Sequence, residues 1–334
     1  MEHSAQKEPA SLAPFFEMLD GKLAASERYS IYAGICGRKL EMCFPSREQA
    51  AMIERCLAGR IIQKTPVPDA LFRFWTDDCS RRAGGPDPSE RWRCKDENGW
   101  ILYAPESRLL GARPSERTFY YCMHTPPHPA PIPYWAVSSL VCQWAGTEGL
   151  LPVHGAAVGT GGKGVLLAAR GGGGKSTLAA SCLLAGMELV SDDFLLLNTQ
   201  GPVLARPLFS MIKINPDMKA RLSLDLPLIW EDAFRGGKQV LDASAASRCQ
   251  ELPVRAVIFL RLSDRDEPVI SPPPPGPASI RLIQTTLQQT EICDPAAAAA
   301  TIKRLSGLPA YEMALGKNLE KNAETLCAFI ERTL

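Results

Sequence analysis

The segment LAARGGGGKSTLAASCLLAG, residues 167–186, decides the fold of the second half of the chain. A phosphate-binding loop requires a small residue, four free positions, and then Gly-Lys followed by Ser or Thr. The segment meets this pattern with Ala169 at the first position, where glycine is usual, and with Lys175 and Ser176 at its end. An apolar stretch precedes the loop and apolar residues at helical spacing follow it. The segment therefore predicts a strand, a phosphate-binding loop and a helix.

Backbone N–H groups carry the phosphate chemistry of such a loop. Consecutive glycines let these groups converge on phosphate oxygens without interference from side chains. Lys175 would place an ammonium against the β- and γ-phosphates, and the Ser176 hydroxyl would bind Mg²⁺ at the positive end of the helix. The alternative is a flexible glycine turn, which the flanking strand and helix disfavour. We therefore expect ATP and Mg²⁺ as cofactors, with the nucleotide held by Gly171, Gly172, Gly173, Gly174, Lys175, Ser176 and Thr177.

An acidic pair follows this helix closely in ELVSDDFLLL, where Asp192 and Asp193 end an apolar stretch. Phosphoryl transfer to a hydroxyl needs a carboxylate near Mg²⁺ and another that orients the hydroxyl or accepts its proton. Neighbouring side chains on a strand diverge, so the two carboxylates would take different roles. A polar turn between two strands is the structural alternative. Next to a phosphate-binding loop, the functional interpretation is favoured.

The bulk composition is that of an ordinary globular protein, with 46% apolar residues, 22% charged residues and a net charge of +1. This balance does not favour a nucleic-acid partner. The chain lacks the apolar run of about eighteen residues that a membrane span needs, and its start does not resemble a secretory signal. We therefore expect a cytoplasmic protein with no membrane partner. The eleven cysteines contain no C-x-x-C pair, which indicates scattered reduced thiols rather than a metal site.

Composition and the pattern of strands and helices divide the chain into two predicted domains. Residues 1–150 are rich in aromatics and prolines and predict a smaller α+β domain, with a role in substrate or peptide binding or in oligomerisation. Residues 151–334 alternate strands and helices, which predicts an α/β domain with a mixed sheet and layered helices. The N-terminal elements expected are a strand pair turning at Gly37-Arg38, helices over 46–59 and 134–149, an exposed loop near 79–99 and a proline-rich connector over 124–134.

In the second domain the pattern predicts two strands joined at Gly161-Gly162 ahead of the loop. It further predicts strands at 253–262 and 310–315, a loop at 271–277, and helices at 278–290, 294–306 and 317–333.

The stretch HGAAVGTGGKGVLLAARGGGGKSTLAASCLLAGMELVSDD, residues 154–193, resembles the catalytic core of the HPr serine kinase/phosphorylase family. The resemblance does not cover the N-terminal domain. It implies an HPr kinase-like P-loop fold in which Lys175 holds phosphate and Ser176 binds Mg²⁺. It further implies that Asp192 acts as the base towards the acceptor hydroxyl and that Asp193 supports the metal. His154 matches the family's His-Gly and is expected to contact phosphate or assist proton transfer, against the alternative of a histidine bonded in a strand turn.

The sequence departs from the family pattern in residues 201–222, which lack the second glycine-rich signature of the true HPr kinases. It therefore does not imply HPr as the acceptor or a reverse phosphorylase reaction. Diverged relatives phosphorylate a serine of ribosomally made precursor peptides, including lasso peptides. Arg206 and Lys213 are candidates for holding phosphate or acceptor charge, and Lys238 and Arg255 are weaker ones.

The function expected is therefore a kinase that transfers the γ-phosphoryl group of ATP to a serine hydroxyl of a protein or peptide. A small-molecule hydroxyl kinase on the same core is one alternative, and a nucleotide-binding regulatory module without transfer is another. The sequence leaves open the acceptor, the choice between ATP, GTP and pyrophosphate, and whether the chain forms a homo-oligomer.

Overall fold

The computed structural model describes residues 11–76, 92–104, 108–123, 133–232, 237–247, 249–287 and 295–334. Contacts divide the chain into two compact units. The first unit takes the chain up to Glu54 and then Arg60–Trp144, and the second takes Arg55–Gly59 and Ala145–Leu334. The assignment of separate roles to the two predicted domains stays a prediction.

The first unit is built on one mixed sheet. Its strands lie in the order β1-β2-β3-β7-β6-β5-β4, with β2–β3 and β3–β7 parallel and the other pairs antiparallel. The strands are β1 (Tyr29–Ile35), β2 (Arg38–Phe44), β3 (Ala70–Thr76), β4 (Trp92–Lys95), β5 (Ile101–Ala104), β6 (Arg108–Arg113) and β7 (Thr118–Met123), and the helices are α1 (Ala13–Ala24), α2 (Arg47–Cys56) and α3 (Pro133–Thr147).

The strand pair and the two helices predicted in this part of the chain are confirmed. The strand pair is present as β1 and β2, and α2 and α3 lie in the predicted helices. The Ser46 hydroxyl accepts a hydrogen bond from the Gln49 N–H at 3.2 Å, which caps α2. The loop expected near 79–99 is wrong at its end, because Trp92–Lys95 is a strand paired with β5. The rest of that loop and most of the 124–134 connector lie outside the described residues.

The second unit begins with β8 (Leu150–His154), β9 (Ala156–Thr160) and β10 (Lys163–Ala168), followed by α4 (Lys175–Leu184). The elements after α4 are β11 (Glu188–Ser191), β12 (Phe194–Asn198), β13 (Leu204–Pro207), β14 (Met211–Ile214), α5 (Pro216–Arg221), β15 (Leu228–Asp232), β16 (Lys238–Asp242), β17 (Leu252–Leu262), β18 (Val269–Ser271), α6 (Ala278–Leu282, continued by a π-helical turn at Ile283–Leu287), α7 (Pro295–Ser306), β19 (Ala310–Leu315) and α8 (Leu319–Thr333).

Nine strands of this unit form one sheet. The order is β11-β9-β10-β17-β13-β12-β8, and β19 pairs with β17 and with β18. Strand β10 is parallel to β17, and β17 is parallel to β19, whereas the other pairs are antiparallel. Parallel strands end at the same edge of a sheet. The carboxyl ends of β10 and β17 therefore lie side by side, and the glycine-rich segment leaves the sheet from this edge.

Helices cover both faces of the sheet. Because successive side chains of a strand point to opposite faces, Val165 and Leu167 of β10 pack with α4 and α8, while Leu166 packs in the cluster that contains Leu282 of α6 and Leu305 of α7. Buried on both sides, the central strands are nearly continuous apolar runs, as parallel strands usually are. The prediction of an α/β architecture with a mixed sheet and helices is confirmed at this level.

Two differences from the sequence prediction affect the functional region. Residues 151–168 form three strands rather than two, because the chain changes its place in the sheet at Gly155: β8 pairs with β12, whereas β9 pairs with β10 and β11. The second difference is a small antiparallel sheet in the order β14-β16-β15, which the sequence did not predict. The helices and strands expected after residue 250 are confirmed within the described residues.

Among the helices of the described segments, none combines the length and apolar character of a membrane span. The cysteines in this part of the chain carry free thiols, and five of them are buried: Cys43, Cys56, Cys122, Cys142 and Cys182. Within the same residues no three His, Cys, Asp or Glu side chains cluster closely enough to hold a metal by themselves.

Candidate functional site

The glycine loop, residues 169–176, connects β10 to the start of α4. Its backbone leaves little room for side chains. Gly172 and Gly174 adopt φ of 80° and 90°, the left-handed region that favours glycine. A Cβ on Gly173 would lie 2.7 Å from the Ala169 Cβ, and one on Gly174 would lie 2.5 Å from Leu315 Cδ1. Ala169 is therefore tolerated at the first position of the motif because residue 173 has no side chain.

Lys175 begins α4 and is held over this loop. Its side chain is buried, and Nζ donates a hydrogen bond to the Ala169 carbonyl at 3.1 Å. Burial lowers the pKa of the Lys175 ammonium, although the charges of Asp193 and Asp192 oppose this effect. A cation placed beside the first turn of a helix, whose N–H groups have no partner within the helix, is suited to binding phosphate oxygens.

His154 and Asp193 form a hydrogen-bonded pair at the ends of two adjacent strands. The His154 Nε2 atom lies 2.7 Å from Asp193 Oδ1. Asp193 has a φ of 80°, which is unusual for a residue with a side chain, and its carbonyl accepts a hydrogen bond from the Gly155 N–H at 3.0 Å. Burial alone would raise the pKa of the Asp193 carboxyl. The charge and hydrogen bond of His154, with the charges of Lys213 and Lys175, outweigh burial and hold this pKa below its usual range.

Asp192 occupies a different environment from Asp193. Its side chain is 1% exposed, and Oδ2 accepts a hydrogen bond from the Lys213 backbone N–H at 3.1 Å. Burial and the charge of Asp193 raise the pKa of the Asp192 carboxyl to about 6, and the nearby Ser176 hydroxyl, the Lys213 N–H and Lys175 oppose this rise. Oδ1 is shielded from solvent and has no hydrogen-bond partner among the described residues. Asp192 is thus a buried carboxylate near Ser176, and one of its oxygens has no hydrogen-bond partner among the described residues.

A cavity of about 120 Å³ gathers most of the predicted site residues. His154 and Asp193 line one part of it, and the glycine loop lines another. Three lysines, Lys175, Lys213 and Lys238, are among the lining residues, so the cavity suits an anion. The residues around it are His154, Gly171, Gly172, Gly173, Gly174, Lys175, Ser176, Thr177, Asp193, Lys213, Ile214, Asn215 and Lys238.

Three predicted residues lie outside this lining. Asp192 sits behind it, in the buried position described above. Arg206 forms an ion pair with Glu251 at 2.5 Å instead of facing the cavity, and Arg255 lines a separate cleft of about 630 Å³. Strand β13 carries Arg206 to a different part of the sheet, which its position in the sequence did not reveal.

Lys238 and Asn215 are the polar lining residues that the sequence undervalued or missed. Both come from the β14-β16-β15 region, Lys238 at the start of β16 and Asn215 immediately after β14. The only signal for Lys238 was its place after a glycine pair and before an apolar run. Such a lysine is more often a surface residue, so spacing alone could not identify it.

Comparisons with known proteins add little to this geometry. No protein-family model matches the sequence, and no curated protein matches it either. Among solved structures, the HPr(Ser) kinase/phosphatase from Coxiella burnetii is similar at 14% identity, with a TM-score of 0.28, over 52% of this chain and 87% of that one. This is a weak structural similarity to a kinase/phosphatase, and the proposals below rest on the site itself.

The donor groups of the site fit a magnesium ion. Mg²⁺ is bound by oxygen ligands, usually one or two carboxylates together with substrate phosphates. The unpartnered Oδ1 of Asp192 and the Ser176 hydroxyl are oxygen donors on neighbouring elements beside the glycine loop. Water and substrate phosphate would supply the other ligands, so a single protein carboxylate is enough.

Proposed function

We propose that the chain is a phosphotransferase that moves the γ-phosphoryl group of a nucleoside triphosphate to a hydroxyl group. The observation that carries this proposal is one cavity lined by three elements: the glycine loop, Lys175 and the His154–Asp193 pair. A regulatory nucleotide-binding module needs only the loop and the lysine. A kinase also needs a carboxylate that can bind the acceptor hydroxyl, and Asp193, which is hydrogen-bonded to His154, lines the same cavity as the loop.

The donor side consists of the backbone amides of 171–176 and the ammonium groups around them. The amides and the positive end of α4 bind the β- and γ-phosphates, and Lys175 neutralises their charge. Asp192 and Ser176 would hold Mg²⁺, which would neutralise phosphate charge when it is bound. Lys213 and Lys238 face the same cavity, where they stabilise the negative charge on the transferring group.

The acceptor side is formed by Asp193 and His154. Asp193 accepts a hydrogen bond from the acceptor hydroxyl and aligns its oxygen with the γ-phosphorus. The new bond joins this oxygen to phosphorus, the bond from phosphorus to the β-phosphate oxygen breaks, and the hydroxyl proton passes to the Asp193 carboxylate. His154 keeps that carboxylate in place through its hydrogen bond. A carboxylate with a low pKa suffices because a loose transition state needs little proton removal.

This assignment reverses the one that the resemblance implied for the acidic pair. Asp192 was expected to face the acceptor and Asp193 the metal. Asp193, however, is the carboxylate that lines the cavity with His154, whereas Asp192 is almost wholly buried beside Ser176. The positive φ of Asp193 turns the two side chains into different surroundings. We therefore propose Asp193 for the acceptor and Asp192 for the metal.

The acceptor we propose is the serine hydroxyl of a protein or peptide, including a ribosomally made precursor peptide. The size of the cavity supports this choice. A volume of about 120 Å³ is well below the roughly 300–1,000 Å³ of enclosed small-molecule sites. It has room for a phosphoryl group and a short side chain presented from outside, so the rest of the acceptor would lie beyond the cavity.

Mass spectrometry of serine-containing peptides tests the proposal. The full chain would be incubated with ATP, Mg²⁺ and a library of serine-containing peptides, and the Lys175→Met variant would serve as the control. Addition of one phosphate to a serine by the wild type alone supports the kinase. Phosphate on small hydroxyl compounds but on no peptide would select the small-molecule kinase. Nucleotide binding without transfer to either class would overturn the proposal in favour of a regulatory module.

A further inference from the structure

A second cavity, of about 440 Å³, adjoins the one at the His154–Asp193 pair. The two cavities share four lining residues, Gly172, Gly174, Thr177 and Asn215. A ligand whose phosphates are held by the glycine loop therefore has access to both. The volume falls in the range of sites that enclose a small organic molecule.

The wall of this second cavity is apolar where it meets the loop. Leu315 and Leu262 stand against the loop, since a Cβ added to Gly174 would lie 2.5 Å from Leu315 Cδ1 and 3.5 Å from Leu262 Cδ2. Leu262, at the end of β17, is 62% exposed, so its side chain is accessible to a ligand. Met218 of α5 also lines the cavity. These side chains offer apolar surface for a ring system.

Several polar groups of the same wall already have hydrogen-bond partners. The Asn322 amide bonds to both backbone groups of Gly316, accepting at 2.8 Å and donating at 2.9 Å. The Ser263 hydroxyl donates to the Leu315 carbonyl at 2.7 Å, and Arg221 Nη2 donates to the Lys317 carbonyl at 3.2 Å. These bonds hold the wall in place and use groups that could otherwise contact the edge of a base. Asp264 is exposed at the rim, where solvent weakens any preference that its charge imposes.

We infer that this cavity seats the nucleoside of the phosphoryl donor, with the base against Leu262, Leu315 and Met218. The inference rests on the proposed function for the position of the phosphates at the glycine loop, and it adds two properties of the donor. The donor is a nucleoside triphosphate in preference to an inorganic polyphosphate, because the apolar wall binds only the former. The base is bound by ring contact rather than by hydrogen bonds to its edge, so adenine and guanine are accepted to a similar degree.

Calorimetric titration of the full chain with MgATP, MgGTP and magnesium tripolyphosphate tests the inference. The variants are Leu262→Gln, Met218→Gln and their combination, which change ring contact without changing charge. Ile280→Gln is the control, because Ile280 is 52% exposed and outside this cavity. We expect ATP and GTP to bind within about threefold of each other and about tenfold more tightly than tripolyphosphate, because only the nucleotides contact the apolar wall.

In the double variant the affinity for both nucleotides should fall by about tenfold while that for tripolyphosphate stays unchanged. Equal affinity for ATP and tripolyphosphate, or strong preference for one base, would overturn the inference alone. The inference would also be overturned if the double variant weakened the binding of tripolyphosphate as much as that of ATP. The apolar wall would then act only by supporting the glycine loop. Failure of all three phosphates to bind would overturn the proposed function together with this inference.

Discussion

The Nε2 atom of His154 lies 2.7 Å from Oδ1 of Asp193, and this contact joins the ends of β8 and β12. The two strands are antiparallel, and their register places His154 opposite Phe194, the residue after Asp193. A histidine that is fixed by its strand thus holds a carboxylate that sits in a tight turn. The pair faces the glycine loop across one small cavity, and this arrangement leads to the first prediction.

Replacing Asp193 by Asn should lower the rate of phosphoryl transfer by about a hundredfold or more, the usual cost of losing an acid–base group. Nucleotide affinity should change by no more than about threefold, because the loop and Lys175 remain. His154→Ala should also slow transfer, yet it should add little in the Asp193→Asn background, since His154 acts through that carboxylate. Single-turnover kinetics and calorimetry separate the two effects.

His154→Gln is the matched control for this prediction, because a glutamine amide can still donate to the carboxylate. It should retain more activity than His154→Ala. If Asp193→Asn kept full transfer while Asp192→Asn lost it without losing metal affinity, the assignment implied by the family resemblance would be correct and ours wrong.

Asp192→Asn should make the protein more stable and less active. Burial raises the pKa of the Asp192 carboxyl from 3.8 to about 6, which corresponds to on the order of 3 kcal/mol of unfavourable free energy at neutral pH. Asn keeps the acceptor for the Lys213 N–H and removes the charge. The melting temperature without nucleotide should therefore rise, while Mg²⁺-dependent transfer is lost.

The gain in stability should depend on pH in a defined direction. The folded protein binds a proton at Asp192 more readily than the unfolded chain does, so the cost of its charge is full above pH 6 and is relieved as the pH falls towards 4. The difference in melting temperature between Asp192→Asn and the wild type should shrink over this interval. Asp225→Asn, a change at an exposed carboxylate, is the control. A difference that stays constant from pH 7 to pH 4 would contradict the argument.

The two cations predicted to contact substrate should behave differently. The Lys213 side chain is 6% exposed and lines the cavity, and its charge helps to hold the pKa of the Asp193 carboxyl down. Lys213→Met should reduce transfer by about tenfold or more, as expected for loss of one charge-assisted contact. Arg206→Met should leave transfer unchanged and cost at most about 1 kcal/mol of stability, because its ion pair with Glu251 is partly exposed. Kinetics and chemical unfolding of both variants provide the measurement, and equal losses of transfer would contradict it.

The elements nearest the glycine loop could be predicted because their local signals agree. An apolar run, four glycines, Lys-Ser-Thr and a helical stripe each indicate the same strand, loop and helix, and β10 and α4 lie where they were expected. Asp192 and Asp193 were found by their position after that helix. Consistency of local signals of this kind is what makes a segment predictable.

The features that could not be predicted depend on contacts between residues that lie far apart in the sequence. The surroundings of the acidic pair are set by the positive φ of Asp193 and by the β8–β12 register, neither of which has a local pattern. Lys238 reaches the cavity only because β14, β15 and β16 form their own sheet. Their strands are four or five residues long, too short for a clear periodicity.

The close approach of Ala169 and Gly173 leads to the last prediction. A Cβ at residue 173 would lie 2.7 Å from the Ala169 Cβ and 3.0 Å from the Arg170 carbonyl oxygen, both too close for real atoms to remain unmoved. Gly173→Ala should therefore destabilise the chain by roughly 1–3 kcal/mol, the usual cost of overpacking. Gly171→Ala is the control, since nothing lies within 4 Å of its added Cβ. Combining Ala169→Gly with Gly173→Ala removes the closer contact and should restore most of the lost melting temperature. If Ala169→Gly gave no recovery, the unusual first residue of the motif would not be linked to Gly173 as the structure indicates.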